Sequence, residues 1–206
     1  MSLILVFFLG LISAFVGLIP PSMLNMTAVK ISTTKGRQKA EVYAVGASIS
    51  VFFQATIALL ITKLLKENQY LLIYVKEVAA VIFILLSLYF FRKGFSERKE
   101  NYTPKQRIKN NFTIGLLLSF LNMFAIPYYC GVGASLDMAG LLDFSKISIL
   151  IFVSGATLGT LLILFLYIFT AQKVSHKLNL MTKNINFILA ALTGILGIIT
   201  LINLFL

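Results

Sequence analysis

The sequence predicts an all-α, polytopic membrane protein with six transmembrane helices in two inverted three-helix repeats, of which helices one and four are broken. The first reason is composition: 59% of the residues are hydrophobic, 12% are charged, and the mean hydropathy is +0.94. A soluble domain of 206 residues lacks the polar surface to cover so much apolar material. The other two reasons are a pattern that recurs in the second half of the chain and helix breakers inside two apolar segments.

Six apolar segments can be drawn, each close to the roughly 20 residues that a bilayer crossing requires. One long polar stretch divides them three and three. This gives repeat one (1–92), a cytoplasmic linker (93–111) and repeat two (112–206) within a single transmembrane domain, 1–206. The predicted spans are Leu3–Met23, Val42–Ile61, Tyr70–Phe91, Phe112–Val132, Ile147–Ala171 and Ile185–Leu206.

The distribution of basic residues predicts the orientation in the membrane. Most of the 18 Lys and Arg residues follow spans one, three and five, and the formal net charge is +11. The positive-inside rule then places these connections in the cytoplasm and both termini on the periplasmic side. Because each half has three spans, spans one and four enter from opposite faces, so the repeat is inverted. Membrane orientation explains the basic charge better than a nucleic-acid partner does.

Two consecutive prolines, Pro20 and Pro21, interrupt span one. Proline removes a backbone donor and clashes with the preceding turn, so the helix bends or breaks there. Within lipid such a break persists only against protein or beside a wet cavity. The alternative is that the prolines mark a helix end before a loop. The pattern Phe7, Gly10 and Phe15 recurs at the same spacing as Phe112, Gly115 and Phe120, in a span with its own breakers, Asn122 and Pro127.

The ends of broken helices suit a zwitterionic ligand, because an N-terminal end favours a carboxylate and a C-terminal end favours an ammonium group. Asn25 and Asn122 are the amides nearest the breaks, and each can satisfy freed backbone groups or contact a substrate. Gln54, one turn after Ser50, can form an interhelical hydrogen bond or serve the site. The tyrosines, among them Tyr128, Tyr129 and Tyr167, are expected at membrane interfaces or in the core.

Lys76 and Glu77 are the ionisable pair inside a predicted span. As neighbours on a helix they point to different faces. Either both reach the outer interface, or Glu77 faces the helix bundle as a proton-coupling or ammonium-binding group. Glu77 is therefore the coupling candidate.

Catalytic motifs are missing from the sequence. It has no glycine-rich phosphate loop, no His-x-x-x-His pair and no motif that places a Ser/His/Asp set. We expect no enzymatic activity, no cofactor and no metal site. Because the chain has no phosphate loop for ATP hydrolysis, any transport would have to be driven by a gradient or by another subunit. Cys130 is the single cysteine, so no intramolecular disulfide can form.

The first half of the chain resembles the LysE/RhtB-type amino acid exporters. Members of that family carry a Pro-Gly-Pro-like motif, a basic Gly-Arg loop and a glycine that opens span two. The corresponding segments here are Gly17-Leu-Ile-Pro-Pro-Ser-Met-Leu-Asn25, Thr34-Lys-Gly-Arg37 with Ala40, and Gly46. Span four is similar through Phe112-x-x-Gly115 and Leu121-Asn122. The chain departs from the family where Pro21 and Ser22 replace Gly and Pro, and where Met123 replaces the proline of an Asn-Pro motif.

The resemblance implies a secondary transporter that exports amino acids or similar small zwitterions across the bacterial inner membrane. The implied partners are an amino acid substrate, a proton or other coupling ion, and the lipid bilayer; a homo-oligomer is left open. The resemblance places the substrate between spans one and four, and Gln54 is added for its mid-span position. The expected substrate-binding residues are Pro20, Pro21, Asn25, Asn122, Pro127 and Gln54.

Three other functions compete with amino acid export. A cation or metal exporter of the same architecture needs more intramembrane acids than Glu77 supplies. A thiol–disulfide electron carrier needs a cysteine pair, and Cys130 is alone. A non-transporting membrane scaffold gains nothing from interrupted helices.

Overall fold

All elements that the structure describes are helical. This computed structural model describes residues 2–20, 22–68, 110–122 and 124–171, together with single helical residues between 70 and 95 and between 187 and 202. No strand occurs among these residues. The continuous helices are α1 (Leu3–Gly17), α2 (Met23–Lys35), α3 (Arg37–Glu67), α4 (Asn111–Phe120), α5 (Ala125–Met138) and α6 (Lys146–Phe169).

Helix α1 covers most of the predicted first span, Leu3–Met23, and α2 begins at the last residue of that span. Helix α1 ends at Gly17, and the next backbone N–H, that of Leu18, turns back to the carbonyl of Ala14 at 3.2 Å. Helix α2 begins after Ser22, whose hydroxyl oxygen accepts a hydrogen bond from the Asn25 N–H at 3.5 Å. The chain is thus interrupted before the first proline, and Pro21 lies outside the described residues.

The connection after span one is helical, whereas the sequence predicts a loop there. The basic residues Lys30 and Lys35 lie on α2, and one residue, Gly36, separates α2 from α3. Gly36 has φ 92°, a conformation that glycine adopts without strain. Arg37 then opens α3 with its guanidinium 3.8 Å from the ring centroid of Phe169 on α6, so the Gly36-Arg37 segment is held against a neighbouring helix.

The helices account for part of the six predicted spans. Helices α3 and α6 are each long and apolar enough to cross a membrane, and the pair α4 and α5, bent by 60°, adds a third candidate. Helix α3 has 31 residues and is about 46 Å long, more than the roughly 30 Å of a hydrocarbon core. Helix α1 is apolar but shorter. Predicted spans three and six fall largely outside the described residues, so their existence stays a prediction.

Contacts divide the chain into two compact units, residues 1–64 with 106–176 and residues 65–105 with 177–206. In the second unit, the hydroxyl of Ser87 donates to the carbonyl of Ala190 at 2.8 Å. The ring of Phe187 stands edge-on to those of Phe91 and Phe95, with centroids 6.2 and 5.2 Å away. Residues near 90 and near 190 therefore pack together within that unit.

Helices α1 and α6 of the first unit cross at three glycines, Gly10, Gly155 and Gly159. A methyl group added at Gly10 would overlap the carbonyl oxygen of Phe152, and one added at Gly155 would overlap the carbonyl oxygen of Phe7. The backbones therefore touch, which is how small residues bring helices together in lipid.

The crossing of α3 and α4 has the same construction. A methyl group at Gly46 would overlap the carbonyl oxygen of Phe112, and one at Gly115 would overlap the carbonyl oxygen of Tyr43. Each crossing therefore pairs a helix of the first half of the chain with a helix of the second half. The two sequence halves interlock rather than pack side by side.

Candidate functional site

A cavity of about 130 Å³ lies between the two interruptions of the first unit. It is bordered by the end of α1, the start of α2, the middle of α3 and the segment that joins α4 to α5. Ten described residues line it: Ala14, Gly17, Leu18, Leu24, Val51, Asn122, Phe124, Ala125, Tyr128 and Tyr129.

The first break is held by the side chain of Asn25, which is fully buried. Its Nδ2 donates to the carbonyl of Leu18 at 2.6 Å and to the carbonyl of Pro20 at 3.1 Å. These carbonyls lost their helical partners when α1 ended, so the amide replaces the missing backbone donors. Asn25 follows the lining residue Leu24 but is not one of the ten lining residues.

Tyr167 of α6 also contacts this break. Its hydroxyl donates to the carbonyl of Ile19 at 2.6 Å. Consecutive carbonyls of the interrupted segment are thus fixed from two directions, by α2 and by α6. Pro20 itself is exposed at the protein surface.

The second break is held by Gln54 of α3, which is 2% exposed. Its Nε2 donates to the carbonyl of Ser119 at 2.9 Å, with the carbonyls of Phe120 and Asn122 at 3.4 and 3.5 Å. One turn earlier on α3, the hydroxyl of Ser50 donates to the carbonyl of Leu116 on α4 at 2.7 Å. The interhelical alternative for Gln54 is therefore what the structure shows.

Asn122 both satisfies the backbone and lines the cavity. Its Oδ1 accepts a hydrogen bond from the Phe124 N–H at 3.3 Å, and its backbone oxygen accepts one from the Ala125 N–H at 3.2 Å. The sequence left these two roles open as alternatives, and the side chain is placed for both. Met123, the residue that replaces the family proline, lies outside the described residues.

Pro127 lies in the first turn of α5 rather than in the break, and it is exposed. Proline is favourable in a first turn, since the missing N–H has no helical partner there. The structure thus places Asn122 in the cavity wall. Asn25 and Gln54 instead hold the two breaks by hydrogen bonds to backbone carbonyls. Pro20 and Pro127 are exposed and are not among the residues that line the cavity.

Among the lining residues that the sequence interpretation did not assign to the site, Tyr128 has the most specific contacts. Its ring fills the space where a side chain at Gly17 would lie, with the ring carbon Cζ 2.8 Å from that position. Its hydroxyl donates to the carbonyl of Ser13 at 2.6 Å. The only sequence signal was an aromatic pair directly after Pro127, and aromatic pairs are equally typical of interfaces and cores.

The coupling candidate, Glu77, belongs to the second unit, whereas the cavity residues belong to the first. Glu77 is an exposed helical residue of the second unit, and its neighbour Lys76 lies outside the described residues. Among the residues that the structure describes, no group of three or more His, Cys, Asp or Glu side chains could hold a metal ion.

The electrostatics of the cavity come from helix ends. No charged side chain is among the ten described lining residues. Gly17 and Leu18 stand at the C-terminal end of α1, which carries partial negative charge, and Phe124 and Ala125 stand at the N-terminal end of α5, which carries partial positive charge. The cavity therefore offers opposite partial charges without a formal charge.

Comparison with known proteins identifies the family. The family model described as LysE type translocator matches residues 15–204, a range that includes both breaks and parts of both units. The curated proteins and the solved structures gave no match. With nearly the whole chain covered, and with apolar helices long enough to cross a bilayer, the protein is a multi-pass membrane protein that belongs to the LysE type translocator family.

Proposed function

We propose that the protein is a secondary transporter that exports amino acids, or similar small zwitterions, across the bacterial inner membrane, with the proton as coupling ion. The observation that carries this proposal is the position of the cavity, which lies between the end of α1 and the bent pair α4 and α5. Interrupted helices at a buried site are the usual binding element of secondary transporters, because their ends supply backbone groups to the substrate. Family membership supports transport as the function.

The opposite helix ends suit the two charges of a zwitterion. In this proposal the carboxylate lies at the N-terminal end of α5, and the ammonium group lies at the C-terminal end of α1. Asn122 contributes as well, because its Oδ1 is engaged by the Phe124 N–H while its Nδ2 can donate to a carboxylate. Among the expected substrate-binding residues, Asn122 then contacts the substrate. The others have indirect roles in this proposal. Asn25 and Gln54 hold the two breaks by hydrogen bonds, Pro20 and Pro21 prevent α1 from continuing, and Pro127 supports the start of α5.

The inverted repeat belongs to the same proposal. The two glycine crossings support it: Gly10 and Gly155 meet carbonyls of each other's helices, as do Gly46 and Gly115. Two crossings of one construction, each joining the two halves, are expected when repeats of three spans interlock within one transmembrane domain.

Topology reporters test this architecture. A reporter fused after Leu206 should read as periplasmic, and one inserted near Tyr102 should read as cytoplasmic. A cytoplasmic carboxyl terminus would make the number of spans odd and would remove the inverted repeat.

The transport experiment uses cells loaded with dipeptides, with and without the protein. Cells that contain it should release free amino acids faster. Asn122→Ala should lower the release without lowering the amount of protein in the membrane. Ser135→Ala is the matched control on α5, because the Ser135 hydroxyl bonds only the Gly131 carbonyl of its own helix, at 2.8 Å. Equal release with and without the protein, for every amino acid, contradicts the proposal.

Coupling is tested separately at Glu77. Glu77→Gln should remove the dependence of efflux on the pH gradient while exchange of substrate for substrate continues, since exchange needs no net proton movement. Glu41→Gln is the control, because Glu41 pairs with Arg37 at 2.7 Å on the helix surface, where an ion pair contributes little. An unchanged pH dependence in Glu77→Gln would exclude this carboxylate as the coupling group.

A further inference from the structure

We infer, on the basis of the proposed function, that the cavity accepts amino acids with small, uncharged side chains, and that Tyr128 sets the upper limit on side-chain size. The inference rests on the volume of the cavity, the chemistry of its wall and the way in which Tyr128 is held.

The volume admits only a small ligand. The cavity measures about 130 Å³, and an engineered cavity of about 150 Å³ in another protein holds benzene. Alanine and serine have about as many non-hydrogen atoms as benzene. Leucine is larger, and lysine and phenylalanine are larger still. Glycine, alanine and serine therefore fit, and side chains beyond these require the wall to move.

The wall offers nothing to a charged side chain. The described lining is apolar apart from the amide of Asn122 and the phenol groups of Tyr128 and Tyr129. The two helix ends offset the carboxylate and the ammonium group of the substrate, and no further counter-ion is present among those lining residues. A third charge would be buried without a partner, which is strongly unfavourable.

Tyr128 forms a fixed part of the wall at the outer end of the cavity. Its ring lies against the bare backbone of Gly17, and its hydroxyl bonds the carbonyl of Ser13 at 2.6 Å. On its other side, the ring of Tyr129 stands edge-on with centroids 5.3 Å apart. Gly17 is exposed, whereas Ala14, one turn earlier on α1, is 1% exposed. Tyr128 therefore closes the side of the cavity nearest the protein surface, which is where a longer substrate side chain would have to extend.

Counterflow in proteoliposomes tests the inference with the full chain. Vesicles are loaded with alanine, and the uptake of labelled alanine, serine, leucine and lysine is compared. Alanine and serine should exchange, leucine should exchange at least about tenfold more slowly, and lysine should not exchange. Tyr128→Ala should raise the leucine-to-alanine ratio by about tenfold or more. Tyr128→Phe keeps the ring and should leave the ratio close to that of the unmodified protein.

Two further variants keep the test decisive. Tyr128→Leu retains an apolar contact with Gly17 if the alanine variant fails to fold, and it should shift the ratio in the same direction. Tyr167→Ala is the matched control, because Tyr167 also bonds a carbonyl of the first break, at 2.6 Å, but is not among the lining residues; its ratio should not change. Lysine exchange as fast as alanine exchange, or an unchanged ratio in both Tyr128 truncations, overturns the inference and leaves amino acid export standing. No exchange of any amino acid overturns both.

Discussion

The side-chain nitrogen of Gln54 lies 2.9 Å from the carbonyl oxygen of Ser119, and so joins α3 to the last turn of α4. At the other break, Asn25 joins the start of α2 to the carbonyl of Leu18 at 2.6 Å. A buried carbonyl without a donor is costly in lipid, so each interruption requires such a replacement. Because an amide supplies the donor without a charge, these carbonyls are satisfied, and no ionised side chain is among the described residues that line the cavity.

Removal of the Gln54 amide should destabilise the protein. Gln54→Leu keeps most of the volume but leaves the Ser119 carbonyl without its donor, so the free energy of unfolding should fall by about 1–3 kcal/mol. The measurement is the melting temperature in detergent. Thr56→Val is the control, because the Thr56 hydroxyl bonds only the Phe52 carbonyl of its own helix, at 2.7 Å. Equal melting temperatures for the two variants would show that Gln54 does not hold the break.

The glycine crossings should tolerate no side chain. A methyl group at Gly46 or at Gly155 overlaps a backbone carbonyl of the facing helix, which cannot rotate away as a side chain can. Each alanine variant should therefore lose about 1–3 kcal/mol or more and accumulate poorly in the membrane. Gly131→Ala is the control within a helix, because nothing lies within 4 Å of the added carbon; alanine there should be neutral or stabilising by about 0.5–1 kcal/mol. Normal abundance of the Gly46 and Gly155 variants would contradict the close crossing.

Much of this arrangement could be predicted from the sequence because lipid limits the possibilities. Apolar length, basic connections and small residues at close spacing have few interpretations in a bilayer. The interruption near Pro20 follows from the same reasoning, since proline cannot continue a helix. The helical connection that carries Lys30 and Lys35 was not predicted, because α2 is too polar and too short for a span and is held by packing against α4 and α6.

The site was harder to predict, because it depends on contacts between distant parts of the chain. An amide such as Gln54 is equally suited to bracing a helix or to binding a ligand, and only the carbonyls opposite it decide. The role of Tyr128 depends on Gly17, which lies far away in sequence and is notable only for lacking a side chain. Nothing in the sequence indicates that Gly17 and Tyr128 are in contact.

Replacement of the single cysteine should be silent. The thiol of Cys130 is partly buried on α5 and donates to the Ala58 carbonyl at 3.3 Å, a bond that a serine hydroxyl can also make. Cys130→Ser should therefore export amino acids at the unmodified rate, and the same dipeptide-loaded cells provide the measurement. Loss of export at normal abundance would favour the thiol–disulfide alternative. The variant also supplies the cysteine-free background for labelling studies.

Variants of Asn25 and of the two prolines near the first break should separate stability from transport. Asn25→Leu removes the donor to the carbonyls of Leu18 and Pro20. Because carbonyls at this partly buried break then lose their donor, we expect a loss of about 1–3 kcal/mol in the free energy of unfolding, together with loss of efflux. The measurements are the melting temperature in detergent and amino acid efflux from cells.

The double variant Pro20→Ala with Pro21→Ala should behave differently. Alanine is more favourable than proline in a helix interior by about 3 kcal/mol, so α1 can extend past Gly17 and the melting temperature should hold or rise. That extension would carry the Leu18 carbonyl away from Asn25 and replace the open helix end beside the cavity with a continuous helix. Efflux should therefore fall sharply while the protein remains folded. If the double variant exports at the unmodified rate, the Asn25 amide alone maintains the break, and the prolines mark only the place where α1 ends.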